Sequence, residues 1–256
     1  MLRINIITSV LNGRRTIGDC IASIQAQSYP VEHIIVDGGS TDGTVDLLGT
    51  YESKKSKVIY GPDRGVYDGM NKGLAAASGN VVGFLNSDDF YPSPDVIASV
   101  VKTLDEDNLD SCYGDLVYIK NSEAQEVFRY WKSAEFDRRR FYWGWMPPHP
   151  TFFVRRRVYD KLGGFNLALG SAADYELMLR FLLKHRITST YIPKVLVKMR
   201  TGGISNASLS NRIKANRKDR LAWTINEIEP YPFTLLLKPL RKLGQFRHQL
   251  TGNRRR

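Results

Sequence analysis

The chain has 256 residues, of which 42% are hydrophobic and 25% are charged, proportions that are ordinary for a globular domain. We find no apolar segment near the roughly 20 residues that a membrane-spanning helix needs, and we predict no secretory signal because the N-terminal apolar run is too short. The two cysteines, Cys20 and Cys112, lie far apart without metal-type spacing, which predicts free thiols and a cytoplasmic location.

The charge is unevenly distributed. The formal net charge is +11, and no acidic residue follows Glu229. Seven basic residues occur after that point: Lys238, Arg241, Lys242, Arg247, Arg254, Arg255 and Arg256. Such an excess predicts a polyanionic partner, either anionic lipid or nucleic acid, with a merely solvated tail as the alternative.

The first ninety residues alternate short apolar runs with helical patterns. Strands are predicted at 4–10, 33–36, 57–60 and 81–85, and helices at 16–27, 45–51 and 67–77. This alternation is typical of an α/β fold with a doubly wound parallel sheet, in which ligands bind beyond the carboxyl ends of the strands. The glycine-rich turn at 37–43 lacks the GxGxxG order, which disfavours a dinucleotide-binding fold.

The pattern loosens after residue 93. Helices are predicted at 94–104, at 155–162 and from Asp174, and strands at 112–119, 125–131, 151–154 and 191–200. Beyond about Ser208 the chain is predicted to form helices interrupted by prolines. We therefore expect a main domain over 1–205 and a helical basic extension over 206–256.

A carboxylate pair, Asp88 and Asp89, directly follows the predicted strand at 81–85. Two adjacent carboxylates at a strand end are costly unless a cation neutralises them. Mg²⁺ and Mn²⁺ favour oxygen ligands, which carboxylates and substrate phosphates both supply. The pair therefore suggests a divalent cation that binds a diphosphate. The alternative is an ordinary turn or helix cap.

Several segments together resemble the family 2 glycosyltransferases of the GT-A fold. They are 6–12, 35–44, 61–73, 86–89, 163–165 and 174–180, and the stretch from Asp63 to Asn71 resembles a subgroup that builds bacterial exopolysaccharides, O-antigens and glycolipids. The resemblance implies a Rossmann-like, mostly parallel sheet flanked by helices. It also implies that 1–92 binds a nucleotide-sugar donor and that 93–205 binds the acceptor.

The same resemblance implies which residues contact the donor. These are Thr8, Val10, Asn12, Asp37, Asp63, Arg64, Tyr67, Asn71 and Asn86. A carboxylate such as Asp37 suits this role because it accepts hydrogen bonds from a nucleobase N–H or from ribose hydroxyls. Alternatives remain open for three of them: Asp37 as a turn residue, Arg64 as a solvated charge and Tyr67 as a core residue.

The family's metal-binding Asp-x-Asp motif maps onto 86–88. Asp88 would ligate Mn²⁺ or Mg²⁺, Asn86 replaces the usual first acid, and Asp89 would be a supporting ligand. The general base that strips the acceptor hydroxyl of its proton maps onto Asp174. Here Ala173 replaces the acid that usually precedes it, and Glu176 is a weaker rival as base.

On the acceptor side the resemblance suggests His149 and Trp145, each with a structural role as the alternative. The Gly202–Ser205 segment resembles a loop that closes over the donor. The amphipathic basic C-terminus predicts docking on the inner leaflet of the membrane, where the acceptor would be a lipid-linked saccharide.

Two other classes of function were weighed. A nucleotidyltransferase usually has a glycine- and arginine-rich loop after its first strand, and residues 12–15 resemble such a loop only weakly. The basic charge suggests a nucleic-acid-binding protein, but no recognition motif is present, and the strand-end carboxylates would repel phosphate unless a metal ion is bound. We therefore expect no nucleic-acid partner.

Overall fold

A computed structural model describes residues 1–53, 55–106, 109–120, 125–201 and 209–245. Its first half confirms the predicted alternation of strands and helices: β1 Ile4–Val10, α1 Ile17–Gln25, β2 Val31–Asp37, α2 Thr44–Tyr51, β3 Ser56–Tyr60, α3 Val66–Ala76 and β4 Val81–Phe84. These four strands pair in parallel, in the order β3-β2-β1-β4. Their carboxyl ends therefore meet at one edge of the sheet.

The second half adds four strands of mixed direction. Its elements are α4 Val96–Glu106, β5 Ser111–Ile119, β6 Val127–Trp131, β7 Phe153–Arg155, α5 Arg156–Leu162, α6 Ala173–Met178, a π-helical turn Leu179–Lys184, β8 Ser189–Arg200, α7 Leu209–Ile225 and α8 Thr234–Gly244. Short 3-10 segments cover Arg138–Trp143, His149–Thr151 and Leu167–Ala172. β7 is antiparallel to both β4 and β5, β6 is antiparallel to β5, and β8 is parallel to β5. The result is one mixed sheet with helices on both faces, as expected for the GT-A fold.

Helix α3 lies unusually close to the sheet because glycines face it. A Cβ atom added to Gly73 would lie 2.3 Å from Cγ2 of Ile7, and one added to Gly69 would lie 2.2 Å from Oγ of Ser9. Residues four apart share one face of a helix, so the two glycines form a flat side that presses on β1. This contact holds the start of α3 beside the carboxyl ends of the central strands.

The C-terminal helices pack on the main domain. Trp223 of α7 is fully buried, and its indole N–H donates to the hydroxyl of Tyr175 at 2.9 Å. Helix α8 runs so close to Gly144 that a Cβ there would lie 2.5 Å from the backbone nitrogen of Lys238. The division at residue 205 stays a prediction, and the expected loop at 202–205 lies outside the described residues. None of the described helices combines the length and apolarity needed to cross a membrane.

Candidate active site

The end of β2 carries a buried carboxylate with one unused oxygen. Oδ1 of Asp37 accepts hydrogen bonds from the amides of Gly39 and Ser40, at 3.0 and 2.9 Å. Oδ2 is buried and has no hydrogen-bond partner among the described residues. A buried polar atom without a partner is costly, so this oxygen is suited to a ligand N–H or O–H.

Asp63 and Ser9 lie beside Asp37. Oδ1 of Asp63 accepts from the amide of Gly65 at 2.9 Å, and Oδ2 packs against Gly38, where a Cβ would come within 2.5 Å of it. Ser9 points to the α3 side of β1, beneath Gly69. Sequence reasoning missed Ser9. Strand alternation was an available signal, because it puts a polar Ser9 on the face opposite Thr8 and Val10.

The side chains of Thr8 and Val10 lie on the α1 side of the sheet. Thr8 is fully buried, and its hydroxyl lies 2.9 Å from Nε2 of His33 and 3.8 Å from Sγ of Cys20. Burial lowers the pKa of His33 to about 3, so this imidazole is neutral. Val10 packs among core aliphatic residues. Their place at the end of β1 is compatible with lining the nucleoside, and this role of Thr8 and Val10 stays a prediction.

Asn12 and Asn71 act as braces. The amide N–H of Asn12 donates to Oγ of Ser40 at 2.8 Å, and its Oδ1 accepts from the amide of Thr41 at 2.9 Å, which ties the loops after β1 and β2 together. The side chain of Asn71 pairs with the backbone of Phe165 through two bonds of 2.9 and 2.8 Å. These bonds join α3 to the segment after α5, and the donor contact of Asn71 stays a prediction.

Arg64 lies at the rim of the site. Its side chain is 80% exposed and pairs with Asp68 at 3.5 Å. The amide of Arg64 and, to a smaller degree, its guanidinium lower the pKa of Asp68. An exposed pair of this kind contributes little to stability, and Arg64 is placed beside Asp63 as the resemblance implies.

The two carboxylates in the turn after β4 differ in how deeply they are buried. Asp89 is fully buried; its Oδ2 accepts from the side-chain amide of Asn86 at 2.8 Å, and its Oδ1 accepts from the amide of Arg200 at 3.3 Å. Burial, and then the charge of Asp88, raise the pKa of Asp89 well above its usual value. Asp88 is only partly buried, and burial raises its pKa as well. Asp88 is therefore the one presented to the cleft, and Asp89 orients Asn86 behind it.

Arg200, at the end of β8, holds this turn and was not foreseen. One terminal nitrogen of its guanidinium donates to the backbone oxygen of Asp88 at 2.9 Å, and the other pairs with Asp19 of α1. A basic residue at the end of a predicted strand was a weak signal. The partners are more than a hundred residues away in the chain, so only the fold reveals the contact.

The carboxylate oxygens of this turn suit a hard divalent cation whose remaining ligands are oxygen atoms of a bound substrate. No cluster of three or more His, Cys, Asp or Glu residues with metal-site geometry exists in the part of the chain that the structure describes. Asp88 nevertheless offers carboxylate oxygen at the cleft, with Asp89 directly behind it. Mg²⁺ and Mn²⁺ are commonly bound by one or two carboxylates, with phosphate oxygens and water filling the other positions.

The candidate base, Asp174, begins α6 and meets the start of α3. Burial, and then the nearby Asp174, raise the pKa of Tyr67 well above its usual value, so this phenol lies beside the carboxylate. The ring of Tyr67 packs against Phe165, with centroids 5.1 Å apart. Tyr67, predicted to bind the donor, is thus in contact with the candidate base.

Tyr118 of β5 links Asp174 to the carboxylate turn. Burial is the main cause of its raised pKa, and the charges of both Asp89 and Asp174 add to it. The two acidic positions, although 85 residues apart in the numbering, therefore both lie near this side chain.

Glu176 is not available as a base. It is buried and forms a two-pronged ion pair with Arg180, at 2.9 and 3.0 Å. Arg180 also donates to the carbonyl oxygens of Gly163 and Gly164, at 3.1 and 2.6 Å. The ion pair holds the segment after α5, which Asn71 of α3 also binds. Glu176 therefore has a structural role.

His149 has an unused ring nitrogen close to Asp174. The side chain is only 7% exposed, stacks on Phe84 at 5.6 Å and meets Phe165 edge-on at 5.3 Å. Its Nε2 is buried and has no hydrogen-bond partner among the described residues. Burial lowers the pKa of His149 and the charge of Asp174 opposes that shift, so the ring is neutral near pH 7.

Trp145 packs in the core. Its side chain is buried, its indole N–H donates to the backbone oxygen of Ser133 at 2.8 Å, and its ring packs against Tyr113 and Phe141. This packing favours the structural alternative, and the acceptor-side role of Trp145 stays a prediction. Its neighbour Trp143 is the exposed member of this aromatic run.

Together these features define a class of protein. An α/β sheet with Asp37, Asp88 and Asp174 at its carboxyl edge has the layout of a GT-A transferase. The family model described as glycosyl transferase family 2 matches residues 5–163, and the chain belongs to this family.

Relatives and solved structures agree with that assignment. The chain is 34% identical over 180 residues to an uncharacterized glycosyltransferase of Mycobacterium tuberculosis, covering 69% of this chain and 68% of the relative. It is 30% identical over 208 residues to a PGL/p-HBAD biosynthesis glycosyltransferase of Mycobacterium bovis, covering 79% and 78%.

Two structures share the fold at low identity. Residues 1–349 of S. aureus TarS in complex with UDP-GlcNAc match with a TM-score of 0.73 and 18% identity, covering 100% of this chain and 76% of that one. The mannosyltransferase PcManGT of Pyrobaculum calidifontis, in complex with GDP-Man and Mn²⁺, matches with a TM-score of 0.64 and 20% identity, covering 92% and 68%.

Proposed function

We propose that this glycosyltransferase moves a sugar, with inversion at the anomeric carbon, from a nucleotide-sugar donor to a hydroxyl of a lipid-linked saccharide or glycolipid acceptor in cell-surface polysaccharide biosynthesis. One observation carries the proposal: Asp174 lies next to Tyr67 and His149, on the side of the sheet where the Asp88 turn and the unpartnered oxygen of Asp37 also lie. The mycobacterial relative named for PGL biosynthesis supports the acceptor class.

The donor's nucleoside would lie at the ends of β1 to β3. The unpartnered oxygen of Asp37 would accept a base N–H or a ribose hydroxyl, and Asp63 would add a second acceptor beside it. Arg64 at the rim is long enough to reach a phosphate. The structures of TarS with UDP-GlcNAc and of PcManGT with GDP-Man support a nucleotide-sugar at this edge.

The leaving diphosphate needs a counter-charge. Mn²⁺ or Mg²⁺, held by Asp88 with Asp89 behind it, would neutralise the charge that develops as the diphosphate departs. Arg200 fixes the backbone of Asp88, and Asn86 is locked by Asp89. The chain therefore presents Asp88 in one orientation before any ligand arrives.

Asp174 would take the proton from the acceptor hydroxyl as its oxygen attacks the anomeric carbon. Tyr67, whose phenol lies beside this carboxylate, would donate to it and keep it aimed into the cleft. The neutral His149 would hydrogen-bond the acceptor through its unused Nε2. Attack from the face opposite the leaving group inverts the configuration, and no covalent nucleophile takes part.

We place the enzyme in the cytoplasm, on the inner face of the plasma membrane. The segment after Glu229 has no acidic residue and contains seven Lys and Arg residues. Each cation near an anionic membrane contributes about 1 kcal/mol to the attraction. Residues 246–256 of this tail lie outside the described residues. The lipid-linked acceptor would be reached from that surface.

The proposal is tested by donor turnover. We expect one donor among UDP-, GDP- and dTDP-sugars to be bound and slowly hydrolysed, releasing the nucleoside diphosphate, only when Mn²⁺ or Mg²⁺ is present. Asp88→Ala should lower that rate by about a hundredfold or more, since charge stabilisation of the leaving group is lost.

A contrary result is equally specific. Release of pyrophosphate from a nucleoside triphosphate would identify a nucleotidyltransferase instead. Absence of binding and hydrolysis with every donor, together with salt-sensitive binding to RNA or DNA, would identify a nucleic-acid-binding protein.

A further inference from the structure

Helix α8 turns its apolar side to the solvent. Leu236 is 63% exposed and Leu240 is 56% exposed. On the opposite side, Nζ of Lys238 pairs with Asp219 at 2.8 Å and lies 3.5 Å from the centroid of the Tyr175 ring. A surface helix of a globular protein normally buries its apolar face and exposes its charged face. In α8, Leu235 does pack against the core, but two leucines are exposed while a lysine faces the domain.

An aromatic cluster continues the exposed apolar surface. Trp143, which is 49% exposed, lies 5.2 Å from Phe233 and 6.4 Å from Tyr231, measured between ring centroids. The carbonyl of Phe233 accepts the first hydrogen bond of α8, from Leu236 at 3.0 Å, so Phe233, Leu236 and Leu240 share one side of the helix. We call these five residues, Trp143, Tyr231, Phe233, Leu236 and Leu240, the apolar patch.

The surroundings of the apolar patch are positively charged. Residues 138–147 and 230–256 contain no acidic residue. Nε of Arg241 donates to the backbone oxygen of Trp143 at 2.8 Å. Partial burial, and then the nearby Arg140, lower the pKa of Arg241. Arg139 is exposed beside them, although Asp137 pairs with it at 3.2 Å.

A basic cavity adjoins the same surface. It has a volume of about 540 Å³, and Arg138, Arg139, Lys184 and Arg186 are among the residues that line it. Tyr142, which also lines this cavity, lies 5.0 Å from the ring of Tyr231. Lys184 is paired with Glu227 at 3.0 Å, so part of the cationic charge is already compensated.

We propose that the apolar patch inserts into the headgroup region of an anionic lipid bilayer, with the arginines around it contacting lipid phosphates. Trp and Tyr favour the membrane interface, and an amphipathic segment lies there with its apolar side down and its cations beside it. The proposal rests on the proposed function, since it identifies the surface that would bring the enzyme to a lipid-linked acceptor in the membrane.

A second copy of the chain fits this surface less well. In a twofold dimer the same patch occurs on both partners, so Arg139, Arg140 and Arg241 would face their own counterparts across the contact. Like charges brought together in this way cost several kcal/mol. An anionic bilayer reverses the sign of that interaction.

The patch also connects to the candidate base. The ring of Tyr142 contacts Trp223 at 5.2 Å, and the indole of Trp223 donates to the hydroxyl of Tyr175, the residue after Asp174. Docking through the patch would therefore bring the bilayer to the acceptor half of the domain.

The test is sedimentation of the full-length protein with vesicles of phosphatidylcholine, with and without phosphatidylglycerol. We expect binding to the anionic vesicles and a loss of about tenfold or more in Leu236→Ser/Leu240→Ser, since the two exposed leucines would no longer insert their apolar side chains into the bilayer. Val45→Ser, an exposed aliphatic residue of α2 at the opposite edge of the sheet, is the matched control and should bind like the natural chain.

Fluorescence gives an independent readout. Trp143 is exposed, whereas Trp145 and Trp223 are buried. Anionic vesicles should shift the emission to shorter wavelength and protect it from acrylamide, and both effects should be lost in Trp143→Phe.

Three outcomes would overturn the proposal: absence of binding to anionic vesicles, normal binding by the double serine variant, or a dimer that the double variant dissociates without any vesicle binding. If binding is lost only when Arg254, Arg255 and Arg256 are replaced by glutamate, the tail alone is responsible. Vesicle binding needs no turnover, so its failure and the failure of donor hydrolysis are separate results.

Discussion

Acidic side chains of the site differ in what their surroundings leave them free to do. Both oxygens of Asp89 accept hydrogen bonds from within the chain, and Glu176 is committed to Arg180. Asp88 is the partly exposed member of its pair, and Asp174 is contacted by Tyr67. The sequence alone ranks these four by motif position, whereas the hydrogen bonds assign two of them to structure and leave two for chemistry.

At the residue scale, Tyr67 is the sharpest test of the base. Tyr67→Phe keeps the ring against Phe165 but removes the hydroxyl that lies beside Asp174. We expect kcat to fall about tenfold, because a misdirected base loses general-base efficiency. Steady-state kinetics across a range of pH measure this loss.

The chain supplies a matched control for this variant. Tyr159 is also a buried tyrosine, but its hydroxyl has no hydrogen-bond partner among the described residues. Tyr159→Phe should leave kcat and the pH profile unchanged and leave stability equal or slightly higher, because an unsatisfied buried hydroxyl is removed. Equal behaviour of the two variants would remove Tyr67 from the mechanism.

Elements followed from the sequence where periodicity was strong. The strands and helices up to β4 lie within a few residues of their predicted positions because apolar runs and helical spacing were unambiguous. The pattern could not show which side chains face the cleft. Trp143 and Trp145 are the same residue type two positions apart. Only the packing of the 3-10 segment, which ends at Trp143, puts Trp145 in the core and Trp143 at the surface.

At the element scale, the close contact of α3 with β1 predicts an asymmetry between two helical glycines. Gly73→Ala would place a methyl group 2.3 Å from Cγ2 of Ile7, a stiff β-branched side chain. Overpacking of this kind costs about 1–3 kcal/mol, which exceeds the gain of about 0.5–1 kcal/mol from helix propensity. The free energy of unfolding, measured with urea, should therefore fall.

Gly49→Ala in α2 is the control, because nothing lies within 4 Å of the added Cβ atom. It should gain the helix-propensity term alone and be more stable by about 0.5–1 kcal/mol. A Gly73→Ala variant as stable as Gly49→Ala would show that α3 does not press on the sheet.

For the whole molecule, part of the extension predicted over 206–256 packs into the main core. Trp223 and Ala222 of α7 are fully buried in the same cluster as Tyr175, Phe181 and Met146. The sequence predicted a helical basic extension because prolines interrupt its helical pattern and basic residues are frequent in it. A single indole and an alanine nevertheless anchor it, and a 17-residue helix can be held by few contacts when they are fully buried.

This anchoring predicts one cooperative unfolding transition for the molecule. Trp223→Ala should lower the free energy of unfolding by about 3–5 kcal/mol, as expected for the loss of a buried aromatic side chain. Leu221→Ala, at an exposed position of the same helix, should change it by at most about 0.5 kcal/mol. Far-UV circular dichroism and tryptophan fluorescence should give coincident urea transitions in the natural chain. If Trp223→Ala instead shows an early partial transition followed by an unshifted main one, the extension is an independent unit and the division at residue 205 is a true domain boundary.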